Sequence, residues 1–466
     1  MPERAHGQGK VSPHRDDSFS FSAAHESFRV SLTDAGFDAP FGLTARGQTA
    51  VLALTVDARG PGKVRPPFVE VEAGGSSHRQ YFERAASGRR YLNLSPIFQR
   101  GRPGGAITRV GLRGDAISWR SDGILALFEP PPLVGARILV LAPHPDDAEI
   151  AAFGLYAQRS PSPWIVTLTA GEKGASEISA LIPPDEDPDY WKAHLRVWDS
   201  LAVPQLGGVD ADRCVNLAFP DGELANMQRE PTRTFRLRCE DRLPRSSLRA
   251  RNRCARFREP IPDCTWAGLV ADLRSVLEEA RPNVIVCPHP LVDGHGDHRF
   301  TTIALEEALG AGGGGADAAI LFYVVHVRGW GRYPFGPPES VVSLPPWQEE
   351  AWTADALYSH PLSASMQRGK YFAVEATHDS HPFGTAVTSL RRFTRDAAQG
   401  VSALAGTLAH RSASFLRRAP RPNELFYLAS RRSLSELVGR VRADAGARLP
   451  SSRLETTDHS SRSVGR

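Results

Sequence analysis

Apolar and polar residues alternate in short segments between about Phe19 and Phe128, and glycine-rich turns separate these segments. The clearest ones are residues 27–32, 50–56 and 68–72. Alternation with a period of two puts every second side chain on the same face of a β-strand, and many short strands in succession are typical of an antiparallel sandwich. We therefore predict a small β-sandwich-like domain over residues 18–129, followed by a stiff linker at Pro130-Pro131-Pro132.

After this linker the pattern changes to short runs that are almost entirely apolar. They are residues 137–141, 165–168 and 283–287. In the stretch Trp266–Ala280, Leu269, Leu273 and Leu277 recur at four-residue steps, as on one face of an α-helix. Continuous apolar strands that alternate with helices are typical of a parallel sheet with both faces covered. The sequence thus predicts an α/β domain over residues 133–440.

The composition is that of an ordinary globular protein, since 41% of the 466 residues are hydrophobic and 23% are charged. The formal net charge is +4, from 56 basic and 52 acidic side chains, which is too balanced to indicate a nucleic-acid partner. The five cysteines form no CxxC pair, which argues against a disulfide framework and favours a reducing compartment. No secretory signal and no long apolar run is visible, so we expect a cytoplasmic protein. Its polar ends, residues 1–17 and 449–466, are predicted to be disordered tails.

Two groups of polar residues directly follow two of the predicted parallel strands. They are residues 142–149, Ala-Pro-His-Pro-Asp-Asp-Ala-Glu, and residues 289–299, His-Pro-Leu-Val-Asp-Gly-His-Gly-Asp-His-Arg. Open α/β sheets bind ligands at the carboxyl ends of their strands. His144 and Asp147 are three residues apart and can face one point, where His298 can supply a third ligand. Two imidazoles and one carboxylate leave a position open for water, which is the pattern of a catalytic zinc site.

Two further residues in these groups can take part in proton transfer. Asp146 lies beside the three candidate ligands without being needed as one, which suits a general base. His295 can act as a second proton carrier, or as a cation that faces developing negative charge. The alternative is that these prolines and aspartates only form turns, but two such groups at strand ends favour metal chemistry. His289 is either a residue that supports the site or an ordinary loop residue.

These residues resemble a known family. Pro143-His144-Pro145-Asp146-Asp147, with His295-Gly296-Asp297-His298 downstream, resembles the motif pair of the LmbE-like, or PIG-L, family of zinc-dependent de-N-acetylases. The loops at residues 167–174 and 219–224 are also similar to loops of that family, and the resemblance covers about residues 135–310. It implies a Rossmann-like fold that binds one zinc ion per chain.

The resemblance also implies a role for each residue of the motifs. His144, Asp147 and His298 are similar to the zinc ligands, Asp146 to the general base, and His295, in its protonated form, to the residue that stabilises the tetrahedral intermediate. Candidate substrate contacts are Glu172, Asp221, Asp293 and Arg299. The family carries an arginine and a glutamate on a helix before a Leu-Gly turn, but residues 191–203 show Lys192 and His194 there instead, which is a departure that concerns substrate contacts.

We therefore expect a zinc-dependent N-deacetylase, a hydrolase that removes an acetyl group from an N-acetylglucosamine-type sugar that is lipid-linked or part of a surface-glycan precursor. Two alternatives stay open at this point. The chain is either an amidase for another sugar-amide conjugate, or a non-catalytic glycan-binding protein with a retired deacetylase domain. Aromatic residues of the first domain can serve glycan binding, but their spacing favours a structural role in a core. They are Phe19, Phe21, Phe28, Phe68, Tyr81, Tyr91 and Trp119.

Two arginine-rich segments have two interpretations each. The insertion at residues 229–259 is either a flap that binds a phosphorylated sugar, since arginine favours bidentate phosphate contacts, or a solvated loop. Residues 387–418 form a basic amphipathic segment, which either lies on the anionic inner face of a membrane or packs on the α/β domain. The expected partner is an amino-sugar substrate, either a small molecule or linked to a lipid, and the oligomeric state stays open.

Overall fold

The computed structural model describes residues 12–22, 26–40, 43–44, 47–100, 105–174, 182–183, 185–259, 264–312, 314–315, 317–327, 329–330, 332–347, 353–378 and 418–447. The basic segment 387–418, except for its last residue, and the tail 449–466 lie outside the described residues. Within the described ranges, no helix is long and apolar enough to cross a membrane.

Two antiparallel sheets of four strands each share one hydrophobic core in the first part of the chain. The elements are β1 (Ser20–Phe21), β2 (Glu26–Ser31), β3 (Gly36–Asp38), β4 (Thr49–Ala58), β5 (Phe68–Ala73), β6 (Ser76–Tyr81), β7 (Ser87–Asn93), α1 (Ser95–Arg100), β8 (Arg109–Asp115) and β9 (Ile117–Phe128). The strand orders are β2-β9-β4-β7 and β3-β8-β5-β6. The strands predicted at 27–32, 50–56 and 68–72 are present as β2, β4 and β5.

A sheet of seven strands forms the second part. Its elements, with the flanking helices and β15, are β10 (Ile138–Ala142), α2 (Asp147–Tyr156), β11 (Trp164–Thr169), α3 (Pro188–Ala202), β12 (Cys214–Phe219), α4 (Leu224–Arg229), α5 (Arg245–Arg249), α6 (Trp266–Ala280), β13 (Val284–Pro288), α7 (Gly296–Gly310), β14 (Ala319–Tyr323), β15 (Thr353–Ala354), β16 (Ala356–Pro361), α8 (Ala364–Ala376), β17 (Asn423–Ala429) and α9 (Arg431–Ala447). The order is β12-β11-β10-β13-β14-β17-β16.

The five strands from β12 to β14 are parallel, and β17 runs antiparallel to both of its neighbours. Numbered along the chain, the parallel strands follow the order 3-2-1-4-5, which is the order of a Rossmann-type sheet. Every residue of β10, β12 and β13 is buried, as expected of strands covered on both faces. The predicted mixed α/β fold is therefore confirmed, and the division of the chain into two domains stays a prediction.

Aromatic side chains join the sandwich to the seven-stranded sheet. The ring of Phe19 stacks on Tyr427 at a centroid distance of 6.0 Å and meets the edge of Tyr91 at 5.4 Å. Phe21 meets Phe128 edge to face at 4.9 Å. The glycan-binding interpretation needs these side chains on a surface, but Tyr91 is buried in the core, and Phe19 and Phe21 pack against it.

A buried ion-pair network fixes the start of the described chain to the sandwich. Arg15 Nε contacts Asp17 at 2.7 Å, and Glu83 contacts Arg15 at 2.8 Å and Arg90 at 2.6 Å. All four side chains are at most 5% exposed. The assignment of residues 1–17 to a disordered tail is therefore wrong at Arg15 and Asp17, because a pattern of polar residues does not reveal that their charges pair.

Two arginines of the insertion 229–259 anchor it to the α/β part. Arg245 and Arg249 converge on Asp272 of α6, at 3.2 and 2.6 Å, and all three side chains are almost fully buried. The Arg245 guanidinium also lies 4.2 Å above the ring of Phe219, at the end of β12. For these two arginines the structure contradicts both earlier interpretations, since neither faces a substrate or water.

We expect Asp272→Ala to lower the free energy of unfolding by about 3–5 kcal/mol, because two buried guanidinium groups would lose their common carboxylate. Asp241→Ala is the matched control, since Asp241 pairs with Arg236 on the surface and should change stability by less than about 1 kcal/mol. Urea unfolding measures both values. Equally small changes in the two variants would contradict the anchoring role of Arg245 and Arg249.

Candidate metal centre

The two predicted motifs lie side by side because the strands that precede them are neighbours. β10 and β13 pair in parallel, with Val140 opposite Val286. The chain adds β11 and β12 on one side of β10 and then places β13 on the other side, so the strand order reverses between β10 and β13. In open α/β sheets, such a reversal opens a crevice at the carboxyl ends of the strands, which is where ligands bind.

The Asp147 carboxylate lies between two imidazoles at this crevice. Its Oδ2 atom is 3.2 Å from His144 Nδ1 and 3.2 Å from His298 Nε2. The same oxygen accepts the backbone N–H of His144 at 2.9 Å, which fixes the turn between β10 and α2. All three residues are buried. The predicted ligands therefore meet around a single carboxylate oxygen.

The remaining nitrogen of each imidazole faces another carboxylate. His144 Nε2 is 3.2 Å from Asp221 Oδ1 and 3.2 Å from Asp297 Oδ2. His298 Nδ1 is 3.0 Å from Asp293 Oδ2. In metal sites, a carboxylate at the outer nitrogen orients a histidine ligand and makes it more basic.

These donors fit a divalent metal ion. Donor atoms of His144, His295 and His298 lie within 4.8 Å of one another, and so do those of Asp147, His298 and His326. Neither ring nitrogen of His298 makes a well-aligned hydrogen bond within the described part of the chain, although the ring is fully buried. Imidazole nitrogen and carboxylate oxygen are donors that zinc accepts, so the residues present suit that ion.

The charges of the site favour a cation as well. Burial by itself lowers the pKa of His298, but the carboxylates of Asp147 and Asp293 outweigh burial and raise this pKa to about 10. Burial also lowers the pKa of His144, but the carboxylates of Asp221, Asp147 and Asp297 together outweigh burial and raise this pKa well above its usual value. A field that holds a proton on both imidazoles also favours a dication, and a metal that binds would displace those protons.

His295 has the opposite electrostatic surroundings. Burial, together with the positive charge on His144 and His298, lowers the pKa of His295 to about 4. The backbone N–H of Asp297 donates to His295 Nδ1 at 3.2 Å. The neutral ring therefore carries its proton on Nε2. This differs from the protonated His295 expected from the sequence, because the sequence does not show that other imidazoles surround it.

Asp146 is held in an unusual backbone conformation. Its φ is 132° and its ψ is −24°, a backbone conformation that residues other than glycine rarely adopt. Such a conformation costs about 1–3 kcal/mol and is found mainly at functional sites. Arg196 Nη1 donates to Asp146 Oδ2 at 3.2 Å, and both side chains are largely buried. The fold thus holds this carboxylate beside the three candidate ligands.

Comparison with known proteins agrees with this geometry. Residues 139–309 match the family model PIG-L, described as GlcNAc-PI de-N-acetylase. This part of the chain is a PIG-L domain. A comparison with curated proteins finds no match.

Several solved structures are similar to the chain. One is the N,N'-diacetylchitobiose deacetylase of Pyrococcus horikoshii, with 15% identity over 63% of this chain and 84% of that one and a TM-score of 0.33. Another is the 4-carboxy-2-hydroxymuconate hydratase GalB of Pseudomonas putida, with 13% identity over 63% and 95% and a TM-score of 0.32. A third is the teicoplanin deacetylase Orf2, with 16% identity over 62% and 97% and a TM-score of 0.32.

The four candidate substrate contacts have different places in the PIG-L domain. Glu172 and Asp293 are fully buried. Glu172 accepts the backbone N–H of Asp221, and Asp293 accepts those of His295, Val325 and His326, so both support loops rather than contact substrate.

Asp221 lies within the crevice. Burial raises its pKa, but His144, Lys192 and Arg196 together outweigh burial and lower this pKa to about 2. Arg299 follows His298 in the first turn of α7. His289 is fully buried, and its Nδ1 accepts the backbone N–H groups of Leu291 and Val292, which is a structural role.

Three residues of the site were missed in the sequence. Arg196 lies on α3, three residues before Asp199. The resemblance predicts an arginine and an acidic residue on this helix, so the Arg-x-x-Asp spacing could have identified Arg196. Asp297 lies inside a recognised motif, but the sequence does not show that its carboxylate accepts the backbone N–H groups of Gly222 and Leu224. His326 follows β14, and a histidine after an apolar strand was its signal.

The strain at Asp146 can be tested with a pair of variants. Asp146→Gly and Asp146→Ala both remove the carboxylate, so they differ only in the backbone preference of the new residue. We expect the glycine variant to be more stable by about 1–2 kcal/mol in urea unfolding, because glycine adopts positive φ without strain.

The same pair at Glu436, inside α9, is the control. There the alanine variant should be more stable by about 1 kcal/mol, which is the usual order within a helix. An Asp146→Ala variant as stable as Asp146→Gly would show that the backbone at this position is not strained.

Proposed function

We propose that this protein is a zinc-dependent de-N-acetylase that removes the acetyl group from an N-acetylglucosamine-type sugar, lipid-linked or part of a surface-glycan precursor. The observation that carries the proposal is the contact of one Asp147 oxygen with both His144 and His298 inside a PIG-L domain. Zinc, when held by these three residues, supplies a Lewis acid that acidifies a water molecule and polarises the amide carbonyl.

Asp146 acts as the general base in this proposal. Its carboxylate takes a proton from the attacking water, whose oxygen forms the new bond to the amide carbon. Arg196 keeps the carboxylate in place and favours its charged form. The same carboxylic acid then gives the proton to the amine nitrogen as the C–N bond breaks. Acetate and a free amino sugar are the products.

His295 stabilises the negative charge that develops on the carbonyl oxygen. Its Nδ1 accepts a backbone N–H, so its Nε2–H is the donor available to the substrate. The hydrogen bond from a neutral donor becomes stronger as negative charge grows on the oxygen. It therefore stabilises the transition state more than the bound substrate, which lowers the barrier.

The glycan-binding alternative is less well supported. A site that had lost its activity would not need the candidate ligands or the carboxylate beside them. In this chain all four side chains are present, and the three candidate ligands are in contact with one another through Asp147. The aromatic residues Phe19, Phe21 and Tyr91 take part in core contacts. A cytoplasmic location and contact of residues 387–418 with an anionic membrane stay part of the proposal as predictions.

Asp146→Asn tests the role of the base. The amide keeps the size of the side chain and can still accept from Arg196, but it cannot take a proton. We expect metal analysis to find zinc bound as in the wild type, and acetate release from N-acetylated sugars to fall by a factor of about 10² or more.

Asp122→Asn, on an exposed strand of the sandwich, is the control and should keep full activity. Near-wild-type turnover in zinc-loaded Asp146→Asn would show that another group is the base. Loss of zinc from this variant would instead show that Asp146 is a ligand.

A further inference from the structure

Lysine is rare in this chain, where Lys10, Lys63, Lys173, Lys192 and Lys370 are the only five. Two of them lie together at the mouth of the metal centre. Lys173 is in the loop after β11, and Lys192 is on α3, which packs beside that loop.

The backbone of Lys173 is fixed from both sides. Its N–H donates to Asp221 Oδ2 at 3.2 Å, and Lys192 Nζ donates to its carbonyl oxygen at 2.7 Å. The neighbouring Glu172 carboxylate accepts the backbone N–H of Asp221 at 3.2 Å. These contacts tie the loop after β11 to the loop after β12, so the Lys173 side chain starts from a defined position.

The side chain then extends over Gly222. A Cβ atom at Gly222 would lie 2.5 Å from Lys173 Nζ and 2.6 Å from its Cδ, so a side chain at this position would displace the lysine from where it lies. The N–H of Gly222 donates to Asp297 Oδ2, which is 3.2 Å from His144 Nε2. The ammonium group therefore lies above a residue that is joined through one carboxylate to a candidate metal ligand.

This ammonium group is unpaired as far as the described residues show. Lys173 Nζ makes no hydrogen bond or ion pair within the ranges that the structure describes, and the side chain is half-buried. The nearby carboxylates are engaged elsewhere: Asp146 with Arg196, and Asp221 with His144. A partly buried cation without a counter-ion beside a reaction site favours binding of an anionic group from the ligand.

We propose that Lys173 is a specificity-determining residue that binds an anionic group, phosphate or carboxylate, carried by the sugar substrate. The inference rests on the proposed function and adds to it the charge of the substrate. Gly222 contributes to the same binding site, since its lack of a side chain provides the space in which the ammonium group lies.

Binding of sugars that already carry a free amine tests the proposal without turnover. The probes are methyl glucosaminide, glucosamine 1-phosphate and carboxymethyl glucosaminide, titrated by calorimetry into the zinc-loaded full chain. We expect the wild type to bind at least one anionic probe about tenfold or more tightly than the neutral one, as a charge-assisted hydrogen bond allows. Which anionic probe binds more tightly identifies phosphate or carboxylate as the natural group.

Three variants assign this preference to the side chain. Lys173→Met keeps the apolar stem and should reduce the preference to about twofold or less, whereas Lys173→Arg should retain it. Lys63→Met, which removes an exposed lysine of the sandwich, should change nothing. Equal binding of all probes by the wild type, or an unchanged preference in Lys173→Met, would overturn the proposal.

An assay of acetate release separates this proposal from the proposed function. On the N-acetylated forms of the same three sugars, Lys173→Met should lower kcat/KM about tenfold for the anionic substrate, mainly through KM, and by less than about twofold for the neutral one. A wild type that releases no acetate but binds anionic probes through Lys173 would refute the deacetylase function and leave the anion site in place.

Discussion

A buried carboxylate oxygen, Oδ2 of Asp147, joins the two halves of the metal centre. It contacts an imidazole from each of two motifs about 150 residues apart, and it also accepts the backbone N–H that shapes the first motif. A carboxylate at this depth is ionised only if positive charge surrounds it, supplied by protons on His144 and His298 or by a metal ion. Neighbouring carboxylates and loops contribute to this balance of charge. Asp221, Asp293 and Asp297 hold the outer sides of the two rings, and loops after β12 and β14 hold those carboxylates.

The same balance of charge explains why neighbouring groups of the candidate site differ in protonation. The candidate ligand histidines face carboxylates, which raise the pKa of both rings. Burial and the charge on these two rings lower the pKa of His295. Asp146 projects from a strained backbone toward Arg196, so it is kept apart from the carboxylate that contacts the two rings. Neighbouring aspartates in one motif thus have different surroundings, which suit the different roles proposed for them.

The sequence predicted those features that depend on periodicity or on a local motif. Apolar runs revealed β10 and β13, and the residues that follow them were correctly expected to meet, because carboxyl ends of parallel strands lie at one edge. Contacts that depend on the approach of a separate element were not predictable. Arg196 reaches Asp146 only because α3 packs against β12, and His326 joins the site only because β14 is the neighbour of β13. The arginines of the insertion were misjudged for a related reason, because a run of charged residues does not indicate which of them are buried. Arg245 and Arg249 pair with Asp272, which lies on a helix that follows the insertion.

The central claim is that one divalent metal ion lies between the two motifs. Anomalous X-ray scattering on crystals of the zinc-loaded protein, recorded on both sides of the zinc edge, tests it most directly. We expect one zinc peak per chain at about 2.0–2.2 Å from an imidazole nitrogen of His144, an imidazole nitrogen of His298 and a carboxylate oxygen of Asp147. A zinc peak bound by other residues, or the absence of a peak at this crevice in metal-loaded crystals, would contradict it.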